Sequence, residues 1–512
     1  MNKFLDGLTD ATNYTSTENG GITHKTTKSD LLDMFAMGAA MRSRSDEDVI
    51  LMFRKAFAEN ETYALKCLFY IRDVRGGQGE RRFFRLCIRD LAQNHPEAMR
   101  RNITNIPKYG RWDDLYELVK TPVEEDMWAF MKHQLALDVQ SSVPSLLAKW
   151  LKSENTSSAD SRALGRMTRN AMGMTPRQYR KTLSILRARI NVLERLMSAG
   201  QWDKIEFDKI PSKAGMIYRN AFAKHDVDRM RNAETDKIQS YADFAKDTTK
   251  KVNAKDLYPY EIVSEVVSKW DRYWSKYLDE TQRAVINKYW DNYLKSFDDF
   301  KFNGIAVVDT SGSMTRDDKA APINVAISLG MCCAEKCTGP FHGHYISFSS
   351  RPQLIKVEGV DFVDKVERIY KTNLCENTNI AGVFDLMLRT AINNHCSQDE
   401  IPENVIIISD MEFDSCARPG WYRDAAFPAF TKATVGTELE RIAQKWADYG
   451  YTMPKLVFWN VDARQNNIPM LNGDVSFVSG MSPSIYQTIA TGKTGYDLMM
   501  EKLNSDRYAT VR

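Results

Sequence analysis

Residues 303–314 read NGIAVVDTSGSM. A short apolar, β-branched run ends on Asp309, and Thr310, Ser311, Gly312 and Ser313 follow at once. A run of this kind, closed by turn residues, predicts a buried strand. GHYISFS (343–349), NVIIISD (404–410) and KLVFWNV (455–461) repeat the pattern, with helix-like segments between them. That alternation predicts an α/β domain over 301–512, with an open sheet of mostly parallel strands. Such sheets carry their sites beyond the carboxyl ends of the strands. Asp309 and Asp410 both fall there.

Upstream, the pattern is different. SDLLDMFAMGAAM (29–41), EDVILMFRKAFAEN (47–60), ETYALKCLFYIRDV (61–74) and RRFFRLCIRDLAQN (81–94) each carry apolar residues at spacings of three and four. This is the signature of amphipathic helices. The helix-turn-helix rhythm runs to about residue 300 without a strict repeat, which suits an all-α body of HEAT-like helical repeats. Trp270, Tyr273, Trp274 and Tyr277 share one helical face and read as a packing stripe. Residues 1–28 read as an extended arm or hairpin, with turn chemistry in TENGG (17–21). The predicted division is therefore 1–28, 29–300 and 301–512.

Bulk properties narrow the function classes. The 512 residues carry 70 Lys and Arg against 67 Asp and Glu, a net charge of +3, so any nucleic-acid site must be local. Eight cysteines without a CxxC pair read as reduced thiols. The N-terminus lacks the apolar core of a signal peptide, and no apolar run is long enough to span a bilayer. The expectation is a soluble, cytoplasmic, monomeric protein with no membrane partner.

Asp309 admits three chemistries. An aspartyl nucleophile usually has a second carboxylate two residues on, where Ser311 stands. A serine nucleophile would need a G-x-S-x-G elbow and a placed histidine, and a phosphate loop would need GxxxxGK[ST]; neither motif occurs. The third chemistry is a divalent cation site. Asp309, Ser311 and Ser313 form D-x-S-x-S; Thr378 lies in CENTNIAG (375–382) and Asp410 in VIIISDMEFD (405–414). All five offer oxygen, the donor that Mg²⁺ prefers, with Mn²⁺ or Ca²⁺ as alternatives. Neutral hydroxyl ligands would leave the ion with net positive charge and an open position, suited to binding an acidic group. No general base is apparent, so the expectation is a binding protein rather than an enzyme. The alternative is that Asp and Ser merely cap helices after strands. Glu412 and Asp414 read as solvated loop acids, or else as accessory groups.

These three segments resemble the metal-ion-dependent adhesion site of von Willebrand factor A domains. The resemblance implies that Ser311, Ser313 and Thr378 coordinate the metal, with Asp309 and Asp410 binding it directly or through water. YALKCLFYIRDVRGGQGER (63–81) and IPKYGRWDDLYEL (106–118) in turn resemble the helical-repeat region of the Ro autoantigen (TROVE) family, which also ends in an A domain. SLLAKWLKSENTSS (145–158), YRKTLSILRARINVLE (179–194) and LYPYEIV (257–263) resemble an uncharacterised family of the same layout, common in phages, bacteria and plants. The Ro resemblance implies RNA as a partner, bound on basic surfaces of a ring-like helical body. The uncharacterised family carries no activity to transfer.

Local charge agrees with that implication. Residues 161–200 hold nine basic side chains and a single acid, Glu194. Arg162, Arg166, Arg169, Arg177, Arg180, Lys181, Arg187 and Arg189 are the candidate RNA contacts, and Arg177, Arg180 and Lys181 share a helical face. The alternative is a solvated face paired with acids from elsewhere. A metal-dependent protein scaffold without RNA is the competing function. RGGQGER reads as a tight turn between helices. Asp113 reads as the cap of the next helix, with Tyr109 and Trp112 packing the repeat.

Overall fold

A six-stranded sheet organises the C-terminal part of the chain. The computed structural model describes residues 9, 12–232, 238–267, 278–296, 303–315, 321–348, 352–372, 379–414, 437–471, 474–482, 484–489 and 493–512. The Trp270–Tyr277 stripe and Thr378 lie outside these residues. β1 (Tyr14–Ser16) and β2 (Ile22–His24) form an antiparallel hairpin. The large sheet is built from β3 (Gly304–Asp309), β4 (His344–Phe348), β5 (Gln353–Lys356), β6 (Asn404–Ser409), β7 (Lys455–Asn460) and β8 (Val475–Ser479). Its order is β5-β4-β3-β6-β7-β8, and only the β4–β5 pair is antiparallel.

Chain order runs outward in both directions from the β3–β6 pair. A crevice opens at such a switch point, beyond the strand carboxyl ends. Burial on both faces explains why β3, β6 and β7 read as nearly continuous apolar runs. The helix Pro322–Lys336 is buried from Pro322 to Ala334 and contacts β3. A Cβ on Gly330 would lie 2.3 Å from Cγ2 of Val308, so glycine permits this close approach.

The described part of the chain is rich in helix, and the chain divides into two compact units. One comprises residues 1–67, 258–278 and 294–504 and contains the sheet; the other comprises 68–257, 279–293 and 505–512. The sheet unit thus includes N-terminal helices. In the helix Asp30–Met37, Leu31 to Met37 are all buried. Nearby, the Ser479 hydroxyl of β8 donates to the Phe35 carbonyl (3.5 Å) and accepts from the Ala39 N–H (3.3 Å).

In the helical unit, the buried charge of Asp114 is neutralised locally. Asp114 is fully buried; its Oδ2 accepts from Arg72 Nε (2.8 Å) and from the Arg111 N–H (2.9 Å), and its Oδ1 accepts from Arg85 Nε (2.7 Å). Asp114, rather than Asp113, therefore caps the short helix Trp112–Leu118; Asp113 instead pairs with Arg85 at 2.8 Å. The RGGQG segment is a tight turn. Asp73 accepts from the N–H groups of Arg75 (3.0 Å) and Gly76 (3.2 Å), and a Cβ on Gly77 would lie 2.0 Å from the Tyr70 carbonyl oxygen. Arg507 and the Tyr508 hydroxyl close on the same carboxylate.

Removing Asp114 would strand Arg72, which is buried, without its counter-charge. Asp114→Ala is expected to lower the unfolding free energy by about 3–5 kcal/mol in urea denaturation, the usual result of breaking a buried ion pair from one side.

Candidate metal centre and basic surface

Asp309 closes β3, and Ser409 closes the neighbouring β6. Parallel register brings the two side by side: the Ser409 hydroxyl donates to Asp309 Oδ2 at 2.5 Å. The Ser311 N–H donates to Asp309 Oδ1 at 2.9 Å, which turns the chain so that the Ser311 and Ser313 hydroxyls meet at 3.0 Å. Asp410 follows directly after β6, and its Oδ1 accepts from the Glu412 N–H at 3.2 Å. Between them Met411 adopts a left-handed backbone (φ 64°) while its N–H bonds the Ser409 hydroxyl at 2.9 Å. A non-glycine residue held there stores strain, a frequent mark of a functional loop.

Asp309 and Asp410 are both buried. Burial, and then repulsion from Asp410, pushes the Asp309 carboxyl up to about 7, against the lowering effect of its bonds to Ser409 and Ser311. A cation in the crevice would relieve both effects. The donors present fit a hard divalent ion: two carboxylates and two hydroxyls, all oxygen. Among the described residues no group of three or more His, Cys, Asp or Glu side chains is placed to hold a metal. Asp309, Ser311, Ser313 and Asp410 lie on two adjacent strand ends.

A feature absent from the sequence reading completes this crevice. Arg464 Nη2 donates to Asp410 Oδ2 at 2.8 Å, and Arg464 also pairs with Glu18 of the N-terminal turn. Burial alone would lower the Arg464 pKa; Asp410, Glu18 and Glu412 outweigh it and hold it above its ordinary value. The turn itself grips the loop after β6. Thr17 Oγ1 donates to the Phe413 carbonyl (2.6 Å), Asn19 Nδ2 to the Glu412 carbonyl (2.6 Å) and the Glu18 N–H to Glu412 Oε2 (2.7 Å). Gly21 packs so tightly that a Cβ would lie 2.6 Å from the Phe413 oxygen. Glu412 is fully buried, and burial raises its pKa, so its reading as a solvated loop acid is corrected. Asp414 is half-buried and bridges to Gly20. The N-terminal arm is thus a hairpin and turn seated on the loop beside Asp410, a long-range contact without any signal at short sequence range.

The basic cluster separates into two groups. Four of the eight candidates are engaged with the protein itself. Arg187 donates to the carbonyls of Ala148 (2.9 Å) and Leu151 (2.9 Å) and to Ser153 Oγ (3.1 Å). Arg169 pairs with Glu154 at 2.7 Å, Arg162 bonds the carbonyls of Thr156 and Ser157, and Arg189 bonds that of Val139. These side chains brace neighbouring turns. Arg166, on the helix Ala159–Ala171, and Arg177, Arg180 and Lys181, on the helix Pro176–Arg189, are exposed. They make no hydrogen bond or ion pair with other described residues. No helix among the described residues is long and apolar enough to cross a membrane.

The chain belongs to the family described as Domain of unknown function (DUF2828), whose model matches residues 17–162 and 132–300. Residues 303–507 match a second family, Domain of unknown function (DUF7788). An uncharacterised protein of Acanthamoeba polyphaga mimivirus is 32% identical over 515 residues, covering 93% of this chain and 84% of that one. Among solved structures, the Ro (RSR) protein of Deinococcus radiodurans aligns over 91% of this chain and 93% of its own, at 13% identity and a TM-score of 0.42. At that score the likeness carries no argument.

Replacing Arg464 by methionine would leave Asp410 buried beside Asp309 with no resident cation. Arg464→Met is expected to cost on the order of 3 kcal/mol in chemical denaturation. It is also expected to expose residues 17–21 to faster amide exchange, because Glu18 loses its partner.

Proposed function

We propose that this chain is an RNA-binding protein of ribonucleoprotein type. In this reading a TROVE-like body of HEAT-like repeats contacts RNA, and a von Willebrand A-like domain carries a divalent cation site. The observation that carries the RNA reading is the unpaired set Arg166, Arg177, Arg180 and Lys181 on two consecutive helices. Four exposed cations that pair with no acid among the described residues are available to neutralise backbone phosphates, which gives sequence-independent, salt-sensitive binding. Arginine suits the task because its planar fork takes two phosphate oxygens at once.

Filter binding of single-stranded and structured RNA tests this. Affinity should fall steeply with salt, and the triple reversal Arg177→Glu, Arg180→Glu, Lys181→Glu should reduce both the affinity and the steepness of that fall. Unchanged binding by the reversed protein would sink this surface as the RNA site.

The cation site is proposed to hold Mg²⁺ through Ser311, Ser313, Asp309 and Asp410, with Thr378 as the further ligand implied by the adhesion-site resemblance. Its chemistry would be charge neutralisation and capture of an acidic group, since two of its donors are neutral hydroxyls. This favours a second reading, in which the ion binds a carboxylate of a partner protein and the chain serves as a scaffold without RNA. Millimolar Mg²⁺ should raise the thermal midpoint of the wild-type protein and leave Asp309→Ala unmoved. A pull-down that recovers protein only in the absence of chelator, and no RNA, would favour the scaffold.

A further inference from the structure

A second cationic site lies in the helical unit, around Trp150. Arg111 sits over the Trp150 ring at 5.1 Å from its centroid, and Lys149 at 5.8 Å; Lys152 lies over the Tyr116 ring at 5.3 Å. All three cations are half-buried. None makes a side-chain hydrogen bond or ion pair among the described residues. The nearby acids are already committed: Asp114 to Arg72 and Arg85, Asp113 to Arg85, and Glu154 to Arg169.

The turn that carries Lys149 and Lys152 is held rigidly from behind. Arg187 clamps the carbonyls of Ala148 and Leu151. The Tyr116 hydroxyl accepts from the Lys152 N–H (3.1 Å), and the Tyr179 hydroxyl donates to the Lys152 carbonyl (2.8 Å). Gly165 packs below, where a Cβ would lie 2.7 Å from the Ser153 carbonyl oxygen. The backbone that carries Lys149 and Lys152 is therefore braced, and Arg187 adds a further charge that pairs with no acid among the described residues. Burial, with Arg72 and Arg81 nearby, lowers the Arg111 pKa; Asp113 and Asp114 offset this only in part, because both already pair with other arginines. Positive charge held out of bulk water without a counter-charge is costly, and a rigid arrangement of donors is what lowers the cost of binding an anion.

We propose that Arg111, Lys149 and Lys152 form a phosphate-binding subsite for a nucleotide, free or within an RNA strand. The choice of nucleotide rests on the RNA reading above; the phosphate chemistry does not. The planar guanidinium and two ammonium groups match a polyanionic oxygen cluster better than a single carboxylate.

Calorimetric titration of the full chain with inorganic phosphate, a nucleoside monophosphate and a short single-stranded RNA tests the proposal. The variants are Arg111→Gln and the double substitution Lys149→Gln, Lys152→Gln; the double variant removes charge from side chains that make no internal bonds. Each should bind about tenfold more weakly, the effect of losing a charge-assisted hydrogen bond. Monophosphate binding with the same loss would identify a free nucleotide site; loss confined to the RNA would identify strand phosphates. The proposal is overturned if the wild type binds none of the three, or if both variants bind within about twofold of it. RNA binding that survives these variants yet fails in the Arg177–Lys181 reversal would sink this subsite alone. The opposite pattern would sink the helix-face reading and leave the subsite standing.

Discussion

Two buried carboxylates at neighbouring strand ends set the constraint on the sheet unit. Asp309 and Asp410 lie where the strand order reverses, which is where a doubly wound sheet leaves space. Like charges so placed must be protonated, hydrogen-bonded or paired with a cation. The chain uses all three means: a raised Asp309 pKa, bonds from Ser409 and Ser311, and Arg464 on Asp410. Arg464 then draws in Glu18, and the N-terminal turn follows. The hairpin at the start of the chain is thus tied to the strand ends by electrostatics.

The helical unit solves a similar problem with the signs exchanged. Arg72 and Arg85 share Asp114, while Arg187 and Arg162 settle on backbone carbonyls. A carbonyl satisfies hydrogen-bond donors but leaves the charge uncompensated. The unit therefore keeps a surplus of positive charge near the 147–153 turn and along the outer face of the helix Pro176–Arg189. Both proposed phosphate contacts draw on that surplus.

Much of this was legible in the sequence because it depends on short-range pattern. Four strands, β3, β4, β6 and β7, are apolar runs ending in turn residues and were readable as such. β5 is a mostly exposed edge strand, and β8 (VSFVS) hides two buried serines among its apolar residues, so neither stands out. The D-x-S-x-S geometry was readable because its hydrogen bonds span only two residues. Arg464 and Glu18 were not, since their partners lie 54 and 446 positions away. The division within the basic cluster was not legible for a related reason: composition counts charges but does not say which bond carbonyls. Arg187 and Arg177 look alike in the sequence and differ only in what packs beside them.

The closure of Asp73 by Arg507 and Tyr508 has a consequence for biosynthesis. The helical unit takes its last segment from residues 505–512, after the whole of the sheet unit has been made. The partners of Asp73 are 434 and 435 residues downstream. At ordinary elongation rates that separation is roughly 20–90 s of translation. Until then the Asp73 carboxylate lacks the partners that Arg507 and Tyr508 supply in the folded chain. This half therefore cannot be completed before residues 505–512 have been made.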